Sequence, residues 1–532
     1  MYEVDAQLVG KNIFTYRPKG NKSYSEQDIA QYLKKFELCS ALKLIGEISY
    51  QIFISSKQSI ISIKGIPIFN GVLAYIAMLL IENSNDYRSE NFTMNNLLQA
   101  IDMYFGLKDP FEDTGENREG CLIRFGSTQF NYERELRHTI PRALILYRDL
   151  WGQTNNSKKI NLNKTLQELY QLNLEEMLLL SFTFSYKPEK DFLRLLNIVE
   201  NEKQSNENQL SETFINAFSN KTQKKFINFI ASTYKNFREK SKKEEVNPEY
   251  SKFRFNPLIN YPVLIPDKNI KPTSGLGQVY IRPIPRLIIE RVVRGLYYDL
   301  SNYFQDGKKN PFKTAFGEVF EEYVGLILNK SINKYKIKKE FQYGKPDIDS
   351  PDWFILDLEN NKAIVIEVKQ SSLYLSAKTY GEIEDIQKSI KQTIGKGIEQ
   401  IYQFEQNIKN RKYEELKEFY DIETVDKMIV TYDKSYFNNS VLRDQVKEVN
   451  EKIPNDYHWH TISIEELEYI VGTLGDSIFD FLREKKKEKF TDEMDFMDYC
   501  ARKYPELKIN NSYLNEISDK FFQELKMLEK GK

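Results

Sequence analysis

The sequence predicts an α+β multidomain protein. It has a mostly helical N-terminal region over 1–305, an α/β domain over 312–475 and a helical C-terminal tail over 476–532. Three observations carry this. Helical apolar spacing dominates from about 70 to 300. The run Asp306-Gly307-Lys308-Lys309-Asn310-Pro311 is a clear break. After it, short apolar strand patterns alternate with helical ones, which is the texture of an α/β unit.

Taken in order, Ile52-Phe53-Ile54 and Ile60-Ile61-Ser62-Ile63 read as strand fragments, with Gly65 and Pro67 as breakers. Gly71–Ile81 is apolar on nearly every face and predicts a buried helix. Leu166 to Leu172 and Met177 to Leu180 continue the helical pattern. Residues 202–212 and the mixed-charge run 239–252 read as exposed connections, and the proline- and aromatic-rich stretch 253–285 as irregular but ordered. Arg286 to Tyr303 predicts one helix with Pro285 just before its start. Beyond the break come a helix (Lys313 to Lys330) and a strand (Ile337 to Tyr343). Two apolar strands follow (Trp353 to Leu358, Ala363 to Val368), then a long helix (Tyr380 to Lys409) and a strand (Lys427 to Tyr432). His458 to Ile462 reads as a further strand. Ser463 and Glu466 after it form a capping box for a helix from Ile464 to Val471.

Composition narrows the function classes. The 532 residues carry 76 Lys+Arg against 77 Asp+Glu, a net charge of -1, which excludes a uniformly basic binder but not a basic groove. At 41% hydrophobic residues the chain has material for real cores. Three scattered cysteines (Cys39, Cys121, Cys500) give neither a disulfide framework nor a structural zinc pattern. The polar, acidic start Met1-Tyr2-Glu3-Val4-Asp5 is no signal peptide, and the longest apolar run is too short to cross ~30 Å of hydrocarbon. The expectation is a cytoplasmic protein without membrane contact. Ser274-Gly275-Leu276-Gly277-Gln278 is too sparse for a phosphate loop and has no lysine after it, so an ATPase is not expected.

Chemistry concentrates in Ser350-Pro351-Asp352-Trp353-Phe354-Ile355-Leu356 and Ala363-Ile364-Val365-Ile366-Glu367-Val368-Lys369. Glu359-Asn360-Asn361-Lys362 between them has turn composition. With Asn360-Asn361 as a two-residue loop, 352 lies opposite 369 and 354 opposite 367. The pleat then puts Asp352, Glu367 and Lys369 on one face, and Ile364, Ile366 and Val368 on the other, in a core. Two carboxylates so placed suit Mg²⁺ or Mn²⁺, with the Val368 carbonyl as a further ligand. Lys369 can orient a water or stabilise charge on a phosphate.

Pro351-Asp352 with Glu367-Val368-Lys369 resembles the PD-(D/E)xK nuclease superfamily, over about 312–475. The resemblance implies a restriction-endonuclease-like fold, a central mixed sheet flanked by helices. It implies metal-dependent hydrolysis of nucleic acid, DNA ahead of RNA, in a setting such as anti-phage defence. It also implies a glutamate on the preceding helix: Glu321, after Phe320, is the first choice and Glu318, one turn earlier, the alternative. Pro346-Asp347 is a rival first half, but alternation puts Asp347 on the face opposite Asp352. The rival reading is a nucleic-acid-binding or structural subunit of a larger complex with a non-catalytic nuclease fold. A homo-oligomer or a partner protein stays open.

Other candidates read as structural. Gln400 is followed by Phe404, not the tyrosine some exonuclease branches carry, and the polar face with Gln387, Lys388, Lys391, Gln392 and Lys396 fits solvent as well as DNA. Arg282, Arg286, Arg291 and Arg294 suit a phosphate backbone, yet Arg286-Glu290-Arg294 is spaced for ion pairs. Lys485-Lys486-Lys487 reads as a solvated helix face. His458 and His460 can share a metal but have no third ligand nearby in sequence, and His138 is isolated.

Overall fold

The structure is a computed structural model. It describes residues 22–54, 60–107, 138–186, 218–242, 254–267, 280–371, 383–434, 439–504 and 510–530. The expected loop 202–212, the glycine pair at 275–277 and Cys121 lie outside them.

The N-terminal part is mostly helical. Ile52–Ile54 is not a strand: it ends the helix Leu38–Ile54, whose buried Ala41, Leu42, Ile45, Ile48 and Ile52 recur at helical spacing. Strands β1 (Ile60–Ile63) and β2 (Ile66–Phe69) pair antiparallel, with Ile63 opposite Ile66. Lys64 and Gly65 between them both have positive φ (54° and 79°), the backbone of a tight two-residue hairpin. Pro67 therefore lies inside β2 and does not end it. A two-stranded ladder accepts a proline where its missing N–H faces away from the partner. The helix Asn70–Asn83 is buried along nearly its whole length, and a short parallel pair joins β3 (Ala231–Thr233) to β4 (Val263–Ile265). The single helix expected over 286–303 is two, Arg286–Val293 and Gly295–Tyr303, breaking at Arg294.

The C-terminal half is built on one mixed sheet. Strands β5 (Lys336–Lys339), β8 (Trp353–Asp357), β9 (Lys362–Lys369), β10 (Thr424–Thr431) and β11 (His460–Ser463) are ordered β11-β10-β9-β8-β5. The pairs β5/β8 and β8/β9 are antiparallel, and β9/β10 and β10/β11 parallel. The expected strand 337–343 is split: β6 (Gln342–Tyr343) leaves the sheet to pair with β7 (Ile348–Asp349). The crossover from β9 to β10 carries the helices Ile383–Ile390 and Lys396–Lys409, joined by a π-helical turn at Lys391–Gly395. Residues 380–382 of the expected helix fall outside the description. Ser463 and Glu466 form the expected capping box, starting the helix Ile464–Leu474.

Side-chain alternation sorts the sheet into two cores. Phe354, Leu356, Ala363 and Val365 face the 383–409 helices. Trp353, Ile355, Ile364, Ile366 and Val368 face the helix Pro311–Ser331. That second cluster continues without interruption into Ile140–Phe184 and Ile288–Leu300, and out to Phe521 in the C-terminal helices. The helix 311–331 is thus wedged between the sheet and the preceding helices. The contact is close at Gly325, where an added Cβ would fall 1.9 Å from the Trp353 ring, so only glycine lets the indole lie on the helix.

Candidate active site

The hairpin that carries the acidic residues is two residues out of the expected register. Trp353 pairs with Ile366 and Asp357 with Lys362, leaving a four-residue loop, Leu358 to Asn361. The loop is set by Asp357, whose carboxylate accepts from the backbone and side chain of Asn360, and by Asn361 at φ 53°. An even offset preserves faces. Extending the ladder by one residue puts Asp352 opposite Glu367, with Lys369 two residues further on the same face. The β5/β8 register, with Lys339 opposite Trp353, puts Glu340 across from Asp352 on the other side. Its amide donates to the Asp352 carbonyl at 2.8 Å. Three acidic residues from three neighbouring strand ends therefore form one row. Glu340 escaped the sequence reading because only the strand pairing places it.

Asp352 is fixed by the Val368 N–H, which donates to its Oδ2 at 2.6 Å. Glu367 is 1% exposed, and its Oε1 accepts from Lys369 Nζ at 2.5 Å. Its Oε2 is buried with no hydrogen-bond partner among the described residues. Burial raises the Glu367 carboxyl, with repulsion from Asp352 adding to it, up to about 8. Burial raises Asp352 to about 6, against the pull of Lys369 and the Val368 amide. Although burial works against its charge, Lys369 is held above the usual lysine value by Glu367 and Asp352.

The two helix glutamates separate. Glu321 joins the electrostatics of the site: burial, Asp352 and Glu340 push it up to about 8. Its carbonyl accepts the Trp353 indole N–H at 2.9 Å, which ties its helix turn to the start of β8. Glu318 points elsewhere, accepting from the backbone and side chain of Asn156; against its partial burial, these bonds lower its pKa. Asp347, the rival to Asp352, lies exposed on the turn before β7.

The surroundings close the site on two sides. Gly397 lies over it: a Cβ there would come within 3.1 Å of Glu367 Cγ and 3.2 Å of Lys369 Cε. Gln370, next after Lys369, accepts from Tyr297 Oη at 3.1 Å and donates to the Lys313 carbonyl, linking β9 to the helices before and after the 306–311 break. Gln400 donates to the Ser350 carbonyl at 3.2 Å, holding the segment that leads into Asp352, while Phe404 is core.

The remaining candidates lie apart from this cluster. Arg286 and Arg294 both pair with Glu290, Arg291 with Asp299, and Arg282 donates to the Ser185 carbonyl. Internal ion pairs engage Arg286, Arg291 and Arg294, and backbone carbonyls engage Arg282. Lys485 is not on a solvated face as expected: it is fully buried and donates to the Thr491 and Asp492 carbonyls. His458 and His460 do have a third potential ligand, Asp492, brought in by the short helix Lys489–Glu493. Its distance in sequence hid it. No protein-family model matches the chain, nor does any curated protein or solved structure. No helix among the described residues is long and apolar enough to cross a membrane.

Proposed function

We propose that the chain is a metal-dependent nuclease of the PD-(D/E)xK, restriction-endonuclease-like kind, hydrolysing phosphodiester bonds of nucleic acid, DNA ahead of RNA. The observation that carries this reading is the state of Glu367. A carboxylate 1% exposed, with one oxygen on Lys369 and the other without a partner, faces a second buried carboxylate at the end of a sheet. Ionising a buried carboxyl that has one oxygen without a partner and a second carboxyl beside it is costly, and a bound cation offsets that cost.

The donor set is all oxygen, so the fit is to Mg²⁺ or Mn²⁺. Asp352 and Glu367 would hold it, with the Val368 carbonyl as a further oxygen and Glu321 at the margin. When bound, such an ion polarises a phosphoryl oxygen and lowers the pKa of a water. The chain's own residues do the rest. The Val368 amide locks the Asp352 rotamer. Lys369, a quarter exposed, keeps a protonated amine at the open side of the carboxylates, where it can hold a phosphate oxygen or orient a water. Glu321, poised near neutrality, can take or hold a proton beside them. Gly397 leaves the space these side chains fill.

The test is direct. The purified full chain is incubated with labelled DNA and RNA in Mg²⁺ or Mn²⁺, beside the same reactions in EDTA and with Asp352→Asn and Glu367→Gln. Cleavage that needs the metal and both carboxylates is expected. Binding without cleavage under every metal condition would overturn the reading in favour of a non-catalytic nucleic-acid-binding subunit.

A further inference from the structure

We propose that His458, His460 and Asp492 form a second metal centre, for a borderline transition ion of the zinc class, which fastens the C-terminal helices to the edge strand β11. This site is independent of the nuclease reading and lies two strands away from the acidic cluster.

Alternation along the chain creates the pair of rings. Trp459 turns into the core under the 383–409 helices, so His458 and His460 share the other side. Their Nε2 atoms converge on one carboxylate: His458 lies 2.7 Å from Asp492 Oδ2, and His460 lies 2.8 Å from Asp492 Oδ1. All three donor atoms fall within 4.8 Å of one another. Two imidazole nitrogens and a carboxylate converging in this way supply a three-atom donor set. Ligand atoms around a tetrahedral zinc with ~2.0–2.1 Å bonds are ~3.3 Å apart; the two ring-to-carboxylate distances are about half an ångström shorter than that and the widest donor separation, up to 4.8 Å, is longer, so the carboxylate retreats and the rings close in on binding.

Two nitrogens and one oxygen select zinc or cobalt over the hard ions suited to the acidic cluster. Each Nε2 that donates to the Asp492 carboxylate carries the ring hydrogen in the metal-free chain, so metal binding moves that hydrogen to Nδ1 and frees the nitrogen lone pair. Burial holds the His460 imidazole far down, to about 3, while hydrogen bonds from both rings hold Asp492 well below the usual carboxylate range despite its burial. The carboxylate is itself supported from behind, as ligands commonly are. Arg443 lies 2.9 Å from Asp492 Oδ2, and the buried Lys485 donates to the carbonyls of Thr491 and Asp492. These two cations weaken the site relative to a bare ligand set. His460 and Asp492 are 2% and 10% exposed, whereas His458 is 38% exposed, so a fourth position opens toward solvent on the His458 side. The centre would join β11 to the segment 489–493 and, through Arg443, to the helix Asn439–Val449.

The experiment uses the full chain carrying Asp352→Asn and Glu367→Gln, so that the acidic cluster does not contribute. The protein is stripped with chelator, dialysed against zinc chloride and assayed for metal by atomic emission; a parallel sample takes cobalt for its visible spectrum. One zinc per chain is expected, with cobalt absorption characteristic of nitrogen ligation and a thermal midpoint raised by zinc. His458→Gln, at the most exposed ligand, should fold normally by circular dichroism. It should bind zinc at least tenfold more weakly and lose the zinc-dependent rise. Failure of the parent chain to hold stoichiometric zinc, or unchanged zinc binding in His458→Gln, would overturn the proposal.

Discussion

Loading the acidic cluster with Mg²⁺ should expel between one and two protons at pH 7. Glu367 and Glu321 are raised to about 8 and Asp352 to about 6. A carboxyl titrating near 8 is mostly protonated at pH 7 and one near 6 mostly ionised, so the coupled group as a whole holds between one and two protons. A divalent cation among them favours the ionised form of each, and the protons it displaces appear in solution. Two ordinary exposed carboxylates would release almost none. The sign follows from the same shifts. Affinity for Mg²⁺ should rise with pH, by about ten- to a hundredfold per unit between pH 6 and 8, and level off above that. Titration calorimetry in three buffers of different ionisation enthalpy reads the proton count directly from the slope. Glu367→Gln should reduce it by about one. Release of fewer than ~0.3 protons, or an affinity flat from pH 6 to 8, would refute the placement of these carboxylates in one buried, mutually repelling group.

Stability of the metal-free chain should run the opposite way. The carboxyls of Glu321 and Glu367 are raised from 4.5, so between about pH 4.5 and 8 the folded chain holds more protons than the unfolded one. Their contribution is complete below that window and lost as pH climbs through 8. The thermal midpoint in EDTA should fall across it, and excess Mg²⁺ should flatten the fall. Glu321→Gln should slow cleavage by about 10²-fold, while Glu318→Gln should leave cleavage near the wild-type rate and cost on the order of 1 kcal/mol through its bonds to Asn156; parallel rate and denaturation measurements decide. Gly325→Ala should destabilise by ~1–3 kcal/mol or more, because the methyl collides with the Trp353 ring; an unchanged denaturation midpoint would contradict the packing described.

What was legible in the sequence follows a physical line. The convergence of Asp352, Glu367 and Lys369 depends on the parity of the pleat, so it survived a loop two residues longer than Asn360-Asn361. Loop length itself rests on the bonds between Asp357 and Asn360, which composition does not reveal. The buried helix at 70–83 was readable because all its faces are apolar, whereas Ile52-Phe53-Ile54 was not, since three apolar residues suit a strand or a helix end equally. Residues joined only by tertiary structure were the ones missed. Glu340 needs the β5/β8 register, and Asp492 meets His460 across 32 residues. Lys485 looks solvated in its run of lysines until the chain folds back over it.

If Lys369 and its two carboxylates perform the proposed phosphodiester hydrolysis, Lys369→Ala should abolish it. The side chain is a quarter exposed at the strand end, outside the apolar cores, so the fold should survive its loss. Removing a group that stabilises charge or moves a proton costs about 10²–10⁴ in rate, while one phosphate contact among several costs far less in binding. The measurement is a cleavage time course in Mg²⁺ beside a binding titration at the same salt, for wild type and variant. Wild type should cleave, and the variant should bind nearly as well but not cleave detectably. A variant that cleaves at the wild-type rate would contradict the proposal.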